Sequence, residues 1–141
     1  MRIYSIGYEG RSPEAFCEAL STAGVRVVID VRAVPWSQRP QFRKTAIQTS
    51  IADFGINYIH CKAAGNPYRP KKGETLDMKA CAKAYAKHLR EHPEIVEELA
   101  NLVKVGDAAL LCYEGHRDRC HRGVLLDALT KQLSRVKVIE L

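Results

Sequence analysis

Long hydrophobic runs are absent from the 141-residue sequence. A helix that crosses a membrane needs about 20 consecutive apolar residues, so we expect no membrane partner. The chain begins with Met1-Arg2-Ile3-Tyr4-Ser5-Ile6, which has the pattern of a strand rather than that of a signal peptide. We therefore expect a cytoplasmic protein.

Disulfide and zinc motifs are also missing. The five cysteines form an odd, scattered set with no C-x-x-C pair: Cys17, Cys61, Cys81, Cys112 and Cys120. Such a set is typical of reduced, often buried cysteines. The residues that could converge on a zinc ion are Cys112, His116, Cys120 and His121. Because Cys120 and His121 are adjacent, they suit one tetrahedral site poorly, and we expect no metal and no cofactor.

Aromatic residues make up only 7% of the sequence, and basic residues outnumber acidic ones, with a formal net charge of +6. Such an excess suits nucleic acid, a nucleotide or another polyanion, although a basic surface can also have no partner. The basic residues expected in loops or at exposed helix starts are Arg39, Arg43, Lys44, Arg69, Lys71 and Lys72. We expect this group to contact nucleic acid.

The apolar residues change repeatedly between the period of a strand and that of a helix. Strands are predicted at 3–6, 25–31, 56–60, 108–113 and 136–141. The first helix follows an N-cap at Ser12 and ends at Gly24, and others are predicted at about 43–53, 78–89, 93–103 and 120–133. Residues 61–76 predict an extended loop. The alternation predicts a single three-layer α/β domain over residues 1–141, with a mostly parallel five-stranded sheet.

The segment 110–123 is the most informative part of the chain. It begins as a buried strand and ends as the start of a helix, and it contains two cysteines, two histidines and three arginines. Strand-to-helix turns carry the ligand sites of open α/β sheets, and a helix N-terminus favours an anion. The segment therefore predicts a site for a phosphate-bearing or otherwise anionic ligand. The candidate contacts are His116, Arg119, Cys120, His121 and Arg122.

Two other predicted strands also end in ionisable or aromatic residues, at Tyr8 and at Asp30-Val31-Arg32. Because the carboxyl ends of parallel strands share one edge, we expect these residues to meet Glu114 in a crevice. Asp30 and Glu114 are the acid–base candidates. Each carboxylate could instead belong to a buried ion pair, and for Asp30 the partner would be Arg32 or Arg119.

Thiol chemistry is an alternative. Cys112 and Arg117 have the C-x-x-x-x-R spacing of rhodanese-like and phosphatase loops, in which backbone N–H groups and arginine lower the pKa of a thiol. Asp30-Val31-Arg32 resembles the short aspartate–arginine strand motif of rhodaneses. Cys120, between Arg119 and His121, is the other candidate nucleophile. The structural alternative is that Cys112 is only a small buried hydrophobe.

Nearly the whole chain resembles a bacterial and archaeal family known as domain of unknown function 488. The matching stretches are 6–16, Asp30-Val31-Arg32 with Pro35 and Ser37, Phe42 with 55–60, and Leu111 to Glu114 with Cys120 to Arg122. Many relatives have His where Tyr8 stands. Relatives often have Leu-Gly-Gly near 63–66, where this sequence has Ala63-Ala64-Gly65-Asn66.

The resemblance implies an activity like that of DNA glycosylases acting on modified uracil bases. Together with Arg32, the residues Tyr8, Ser37 and Asn66 are then candidate contacts for an anion or substrate. Trp36, Tyr8 and Tyr68 could stack on a base. We therefore expect a hydrolase that cleaves an N-glycosidic bond in nucleic acid or a nucleotide. The alternatives are a rhodanese-like or phosphatase-like thiol enzyme and a non-catalytic nucleic-acid-binding module.

Overall fold

A computed structural model of the protein describes residues 1–68, 77–117 and 121–141. These residues contain a five-stranded sheet whose strands are all parallel, in the spatial order β3-β2-β4-β1-β5. The strands are β1 (Arg2–Gly7), β2 (Val27–Asp30), β3 (Asn57–His60), β4 (Ala108–Cys112) and β5 (Lys137–Glu140). The predicted parallel α/β sheet is confirmed.

Helices cover both faces of the sheet. The described part of the chain contains α1 (Pro13–Ala23), α2 (Lys44–Ala52), α3 (Met78–Glu91), α4 (Pro93–Val103) and α5 (His121–Gln132). Apolar residues of α1 and α2 pack on one face of the sheet, in a cluster with Phe16, Leu20 and Ile47. Those of α3, α4 and α5 pack on the other face, in a cluster with Leu99 and Leu125. The three-layer prediction is therefore confirmed, with β2 and β4 buried between the two helical layers.

Local sequence signals account for the first helix and the strand after it. The Ser12 side chain accepts a hydrogen bond from the backbone N–H of Ala15, and Gly24 ends the helix in the left-handed conformation with a φ of 79°. Val25, predicted to open β2, instead donates its backbone N–H to Leu20 in the helix terminus. The strand is therefore shorter at its start than its β-branched run predicts.

The register aligns the carboxyl ends of the central strands. Gly7 of β1 pairs with Cys112 of β4, and Asp30 of β2 lies between Leu111 of β4 and His60 of β3. Side chains alternate between the faces of a sheet. Asp30 consequently points toward the α1–α2 layer, whereas Cys112 belongs to the cluster formed with α3, α4 and α5. The alternation divides the predicted site residues between the two faces.

Glycine is required where two loops approach this edge. A Cβ atom on Gly7 would lie 1.7 Å from the carbonyl oxygen of Glu114, and one on Gly65 would lie 2.4 Å from the Cα of Ala33. Neither distance is compatible with a side chain. The missing side chains allow the 113–117 loop to lie directly against β1 and the 62–66 turn directly against the end of β2.

Among the described residues, no helix has the length and apolar content needed to cross a membrane.

Candidate functional site

Three loops meet at the carboxyl edge of the sheet. The backbone N–H of Glu9 donates to the carbonyl of Tyr113 at 2.9 Å, and the backbone N–H of Gly115 donates to Glu9 Oε1 at 2.9 Å. The Tyr8 ring contacts the Tyr113 ring edge-on, with centroids 5.3 Å apart. The Arg39 guanidinium, from the loop after β2, donates to the carbonyls of Tyr8 and Arg11. The ends of β1, β2 and β4 therefore form one connected surface.

Asp30 and Arg32 form a buried ion pair beneath this surface. Asp30 is 0% exposed and Arg32 is 5% exposed. The Arg32 Nη2 lies 2.7 Å from Asp30 Oδ2, and its Nε lies 2.9 Å from Oδ1. Arg32 Nη1 donates to the carbonyl of Phe42 at 2.7 Å and is 3.4 Å from the Tyr8 hydroxyl. Asp30 also accepts from the Tyr58 hydroxyl and from the backbone N–H of Arg32.

The electrostatics of this pair follow from its burial. Burial, and then the Asp30 carboxylate that accepts its hydrogen bond, raise the pKa of Tyr58 above its usual range. Burial alone would lower the pKa of Arg32. The hydrogen bond to Asp30 and the charge of that carboxylate outweigh burial, so the pKa lies above its usual value. Both charges are thus matched within the fold. Of the two roles open to Asp30, this geometry is that of a structural ion pair.

A second cluster lies on the other face of the same edge. Cys112 Sγ is 3.3 Å from Glu114 Oε2 and 3.8 Å from His121 Nδ1. His121 Nε2 is 2.9 Å from the carbonyl oxygen of Val31. Since a carbonyl only accepts, Nε2 carries the proton and, in a neutral imidazole, Nδ1 is the acceptor that faces the thiol. Glu114 is half-buried and Cys112 is buried, so a carboxylate, a thiol and an imidazole converge at the strand end.

The two clusters adjoin at the end of β2. His121 bonds the carbonyl of Val31, and His60 Nε2 donates to the carbonyl of Arg32, the next residue, at 2.8 Å. Asp30 and Glu114 therefore share one edge of the sheet but belong to different faces, each with its own partners. Of the two carboxylates, Glu114 is the one that is partly exposed, and its cluster contains the His121 imidazole.

The 113–117 loop differs from a rhodanese-like or phosphatase anion loop. Its backbone N–H groups at Gly115 and Arg117 donate to the carboxylates of Glu9 and Glu140. The Arg117 guanidinium pairs with Glu140 at 3.1 Å. In those enzyme classes such groups face the bound anion. Here, in the part of the loop that the structure describes, these groups bind the Glu9 and Glu140 carboxylates of the protein itself in place of an external anion.

The other predicted contacts lie in varied surroundings. Arg122 is 0% exposed, and its Nη2 donates to the carbonyl of Glu114, which holds the loop on α5. The Ser37 hydroxyl accepts from the backbone N–H of Arg39, and Asn66 Oδ1 accepts from that of Tyr68, so both stabilise turns. His116 is exposed. Tyr8 is buried and stacks on Phe42, with ring centroids 4.7 Å apart.

Several predicted residues lie outside the described part of the chain: Arg69, Lys71, Lys72, Arg119 and Cys120. The zinc and thiol alternatives that involve Cys120 therefore depend on a residue outside the described part of the chain. Among the described residues, no three His, Cys, Asp or Glu side chains are grouped to hold a metal ion.

Sequence reasoning missed several residues that build the site: Glu9, Tyr58, His60, Tyr85 and Glu140. Tyr58 and His60 could have been found from the sequence pattern. They lie two positions apart on a strand next to β2, so both side chains are on the face of the sheet that carries Asp30. Tyr85 had none. Its hydroxyl donates to the carbonyl of Ala64, and its ring meets that of His121 edge-on at 5.3 Å, a contact between α3 and α5 that depends on helix packing.

Comparison with known proteins identifies a family but no individual relative. The family model described as domain of unknown function DUF488 matches residues 12–129, which include β2, β4 and the site residues at their ends, whereas Tyr8, Glu9 and Glu140 lie outside the match. The comparisons with curated proteins and with solved structures each give no match. The resemblance noted in the sequence is thus confirmed over most of the chain, and the protein belongs to the DUF488 family.

Proposed function

We propose that this protein is a hydrolase acting on nucleic acid or a nucleotide, and that it cleaves an N-glycosidic bond with Glu114 as the acid–base group. The observation that carries the proposal is the position of the Glu114 carboxylate. It is half-buried at the carboxyl edge of a parallel sheet, beside Cys112 and with His121 in the same cluster. Open α/β sheets bind their ligands at this edge.

A partly buried carboxylate at the carboxyl edge of the sheet suits this chemistry. Cleavage of an N-glycosidic bond develops positive charge on the sugar, and the attacking water must lose a proton. Glu114 would take that proton as the water oxygen bonds to the anomeric carbon, and the proton would then pass to the nucleobase that leaves as the C–N bond breaks; the carboxylate would also stabilise the developing positive charge. The His121 Nδ1 acceptor provides a second place for a proton. Asp30 would support the site indirectly, because it fixes Arg32 and Tyr58 at the end of β2.

The charge of the protein supports a phosphate-bearing substrate. The net charge is +6, and the cations Arg39, Arg43 and Lys44 follow β2 on the same edge as Glu114. Contacts between such cations and phosphates supply most of the non-specific affinity for nucleic acid.

The test is a panel of oligonucleotides that each carry one modified base, scored for abasic sites. We expect one substrate class to be cleaved by the wild type and Glu114→Gln to lower the rate at least about 100-fold, the scale of general acid–base catalysis. Glu18→Gln, a change at an exposed position on α1, is the matched control and should retain full activity. Cleavage by Glu114→Gln at the wild-type rate would refute the role of Glu114.

A second candidate, thiol chemistry, is favoured by one specific contact. Cys112 Sγ has a carboxylate and an imidazole acceptor within 4 Å, which is the diagnostic pairing of a nucleophile with a base. In that case Cys112→Ser removes activity toward a sulfane-sulfur donor or a phosphate monoester, the substrates of rhodanese-like and phosphatase-like enzymes, and a glycosylase panel gives no product. For the N-glycosidic proposal, Cys112→Ser should retain most of the activity. Oligonucleotide binding without any turnover would indicate the non-catalytic binding module instead.

A further inference from the structure

Trp36, the single tryptophan of the chain, is 54% exposed. It lies in the loop between β2 and α2, which leaves the sheet at the edge that carries Glu114. Its neighbour Val34 is 69% exposed. An aromatic ring of this size is costly to leave in water.

The ring is held in place by Arg43. The guanidinium carbon of Arg43 lies 4.7 Å from the Trp36 ring centroid, and its Nε donates to the carbonyl of Ser37 at 2.9 Å. The backbone N–H of Trp36 donates to Val34 at 2.9 Å, and that of Lys44 donates to Pro35 at 3.0 Å. The loop is thus closed on itself, and the indole and guanidinium are stacked before any ligand arrives.

The loop is also purely cationic. Residues 33–44 contain Arg39, Arg43 and Lys44 but no aspartate or glutamate. Arg39 is itself anchored, with its guanidinium 4.4 Å from the Phe42 ring centroid and bonded to the carbonyl of Tyr8. An exposed aromatic surface with fixed cations and no carboxylate is the combination that binds single-stranded nucleic acid: the ring stacks on a base and the cations pair with phosphates.

We propose that Trp36 and Arg43 form a nucleobase-stacking subsite for single-stranded nucleic acid, in which a base lies on the indole and Lys44 neutralises an adjacent phosphate. The proposal deepens the proposed function by naming where the strand beside the target nucleotide is held. From the proposed function it takes only the class of ligand, nucleic acid, and it does not depend on N-glycosidic cleavage. An anionic membrane surface is the less favoured partner, because membrane affinity scales with the apolar area that is inserted, and Val34 and Trp36 are the exposed large apolar side chains of this loop.

The first measurement uses Trp36 as its own probe. A short oligothymidylate should quench the fluorescence of the wild type, because a base stacks on the only indole. An inorganic polyphosphate of equal charge should bind with little quenching. Equal quenching by both would overturn the proposal, since binding would then be electrostatic alone.

Variants provide the second measurement, by anisotropy of a labelled oligothymidylate. Trp36→Leu should weaken binding about 10-fold, the order expected for one lost base–aromatic stack. Arg43→Lys, which retains the charge but loses the planar group, should have a smaller effect. The matched control is Phe54→Leu: Phe54 is 52% exposed but precedes β3, at the opposite edge of the sheet. Equal effects of Trp36→Leu and Phe54→Leu would overturn the proposal.

Two further experiments distinguish base stacking at Trp36 from catalysis at Glu114 and from membrane binding. All binding is repeated in the Glu114→Gln background, where retained base-dependent quenching supports the subsite even if no glycosidic activity is found. Vesicles containing phosphatidylserine are tested by sedimentation. Binding to vesicles that depends on Trp36, with no quenching by oligothymidylate, would overturn the nucleic-acid assignment and indicate a membrane contact.

Discussion

At the scale of single residues, Arg32 is defined by its partners. Its guanidinium donates to both oxygens of Asp30 and to the carbonyl of Phe42, and it is almost completely buried. Removing two charges from water costs several kcal/mol for each ion, a cost that is offset only when every donor and acceptor is satisfied. Loss of either partner leaves the other charge buried and unmatched.

We therefore expect Asp30→Leu or Arg32→Met to destabilise the protein by about 3–5 kcal/mol each. Urea denaturation followed by circular dichroism measures the change. The double variant should be less destabilised than the sum of the two single variants, since no unmatched charge is left in the core. Additive losses would contradict the ion-pair interpretation.

The Tyr58 hydroxyl provides a pH-dependent prediction. Its pKa is raised above the ordinary value of 10.0 by burial and by the Asp30 carboxylate. A group with a raised pKa in the folded state contributes stability that is complete below its unfolded pKa and is lost as the pH rises above it. Wild-type stability should therefore fall more steeply above pH 10 than that of Tyr58→Phe.

At neutral pH, Tyr58→Phe should cost about 1.5–3 kcal/mol, the range for a hydrogen bond to a charged group. Urea denaturation at neutral and at alkaline pH measures both effects. A constant difference in stability between wild type and variant across this range would contradict the assigned contact.

At the scale of secondary-structure elements, the site depends on how closely the strand ends approach the loops. Gly7 closes β1 directly against the carbonyl of Glu114, whereas a Cβ on Gly10, in the following turn, would meet nothing within 4 Å. Gly10 has a φ of +71°, so its requirement for glycine is conformational. Glycine is therefore needed at position 7 because another backbone lies too close for a side chain, and at position 10 because of the left-handed backbone conformation.

We expect Gly7→Ala to cost about 3 kcal/mol, because the strand or the 113–117 loop must move. The same shift would displace Glu114 and remove activity. Gly10→Ala, the control, should cost about 1–2 kcal/mol from its left-handed conformation and leave Glu114 in place. Thermal denaturation and the oligonucleotide assay measure both variants. Full activity of Gly7→Ala would contradict the packing of this loop.

At the scale of the whole molecule, the net charge of +6 acts together with the position of the cations at one edge of the sheet. Binding to oligonucleotides should weaken steeply as salt rises, because each neutralised phosphate releases a counterion. Lys44→Ala should weaken binding to all sequences alike and reduce the slope of log affinity against log salt by about one. Affinity that does not change with salt would contradict phosphate binding.

Much of the fold could be predicted from the sequence. The β-branched run 25–31 and the apolar strand before Cys112 identified the central strands, and Ser12, Pro13 and Gly24 identified the first helix. These signals are local, since caps and periodicity act within a few residues. The strand order was not predicted, because it depends on which edges pair across long separations in the chain.

The candidate site shows the same division. By itself the sequence determined that Asp30, Arg32, Glu114 and His121 follow strand ends, and therefore that they share the carboxyl edge of a parallel sheet. Only the tertiary structure decided their partners: Asp30 with Arg32 and Tyr58 on one face, Glu114 with Cys112 and the His121 imidazole on the other. The physical reason is that the face of a strand side chain depends on register and alternation, and its partners depend on which helix packs over that face.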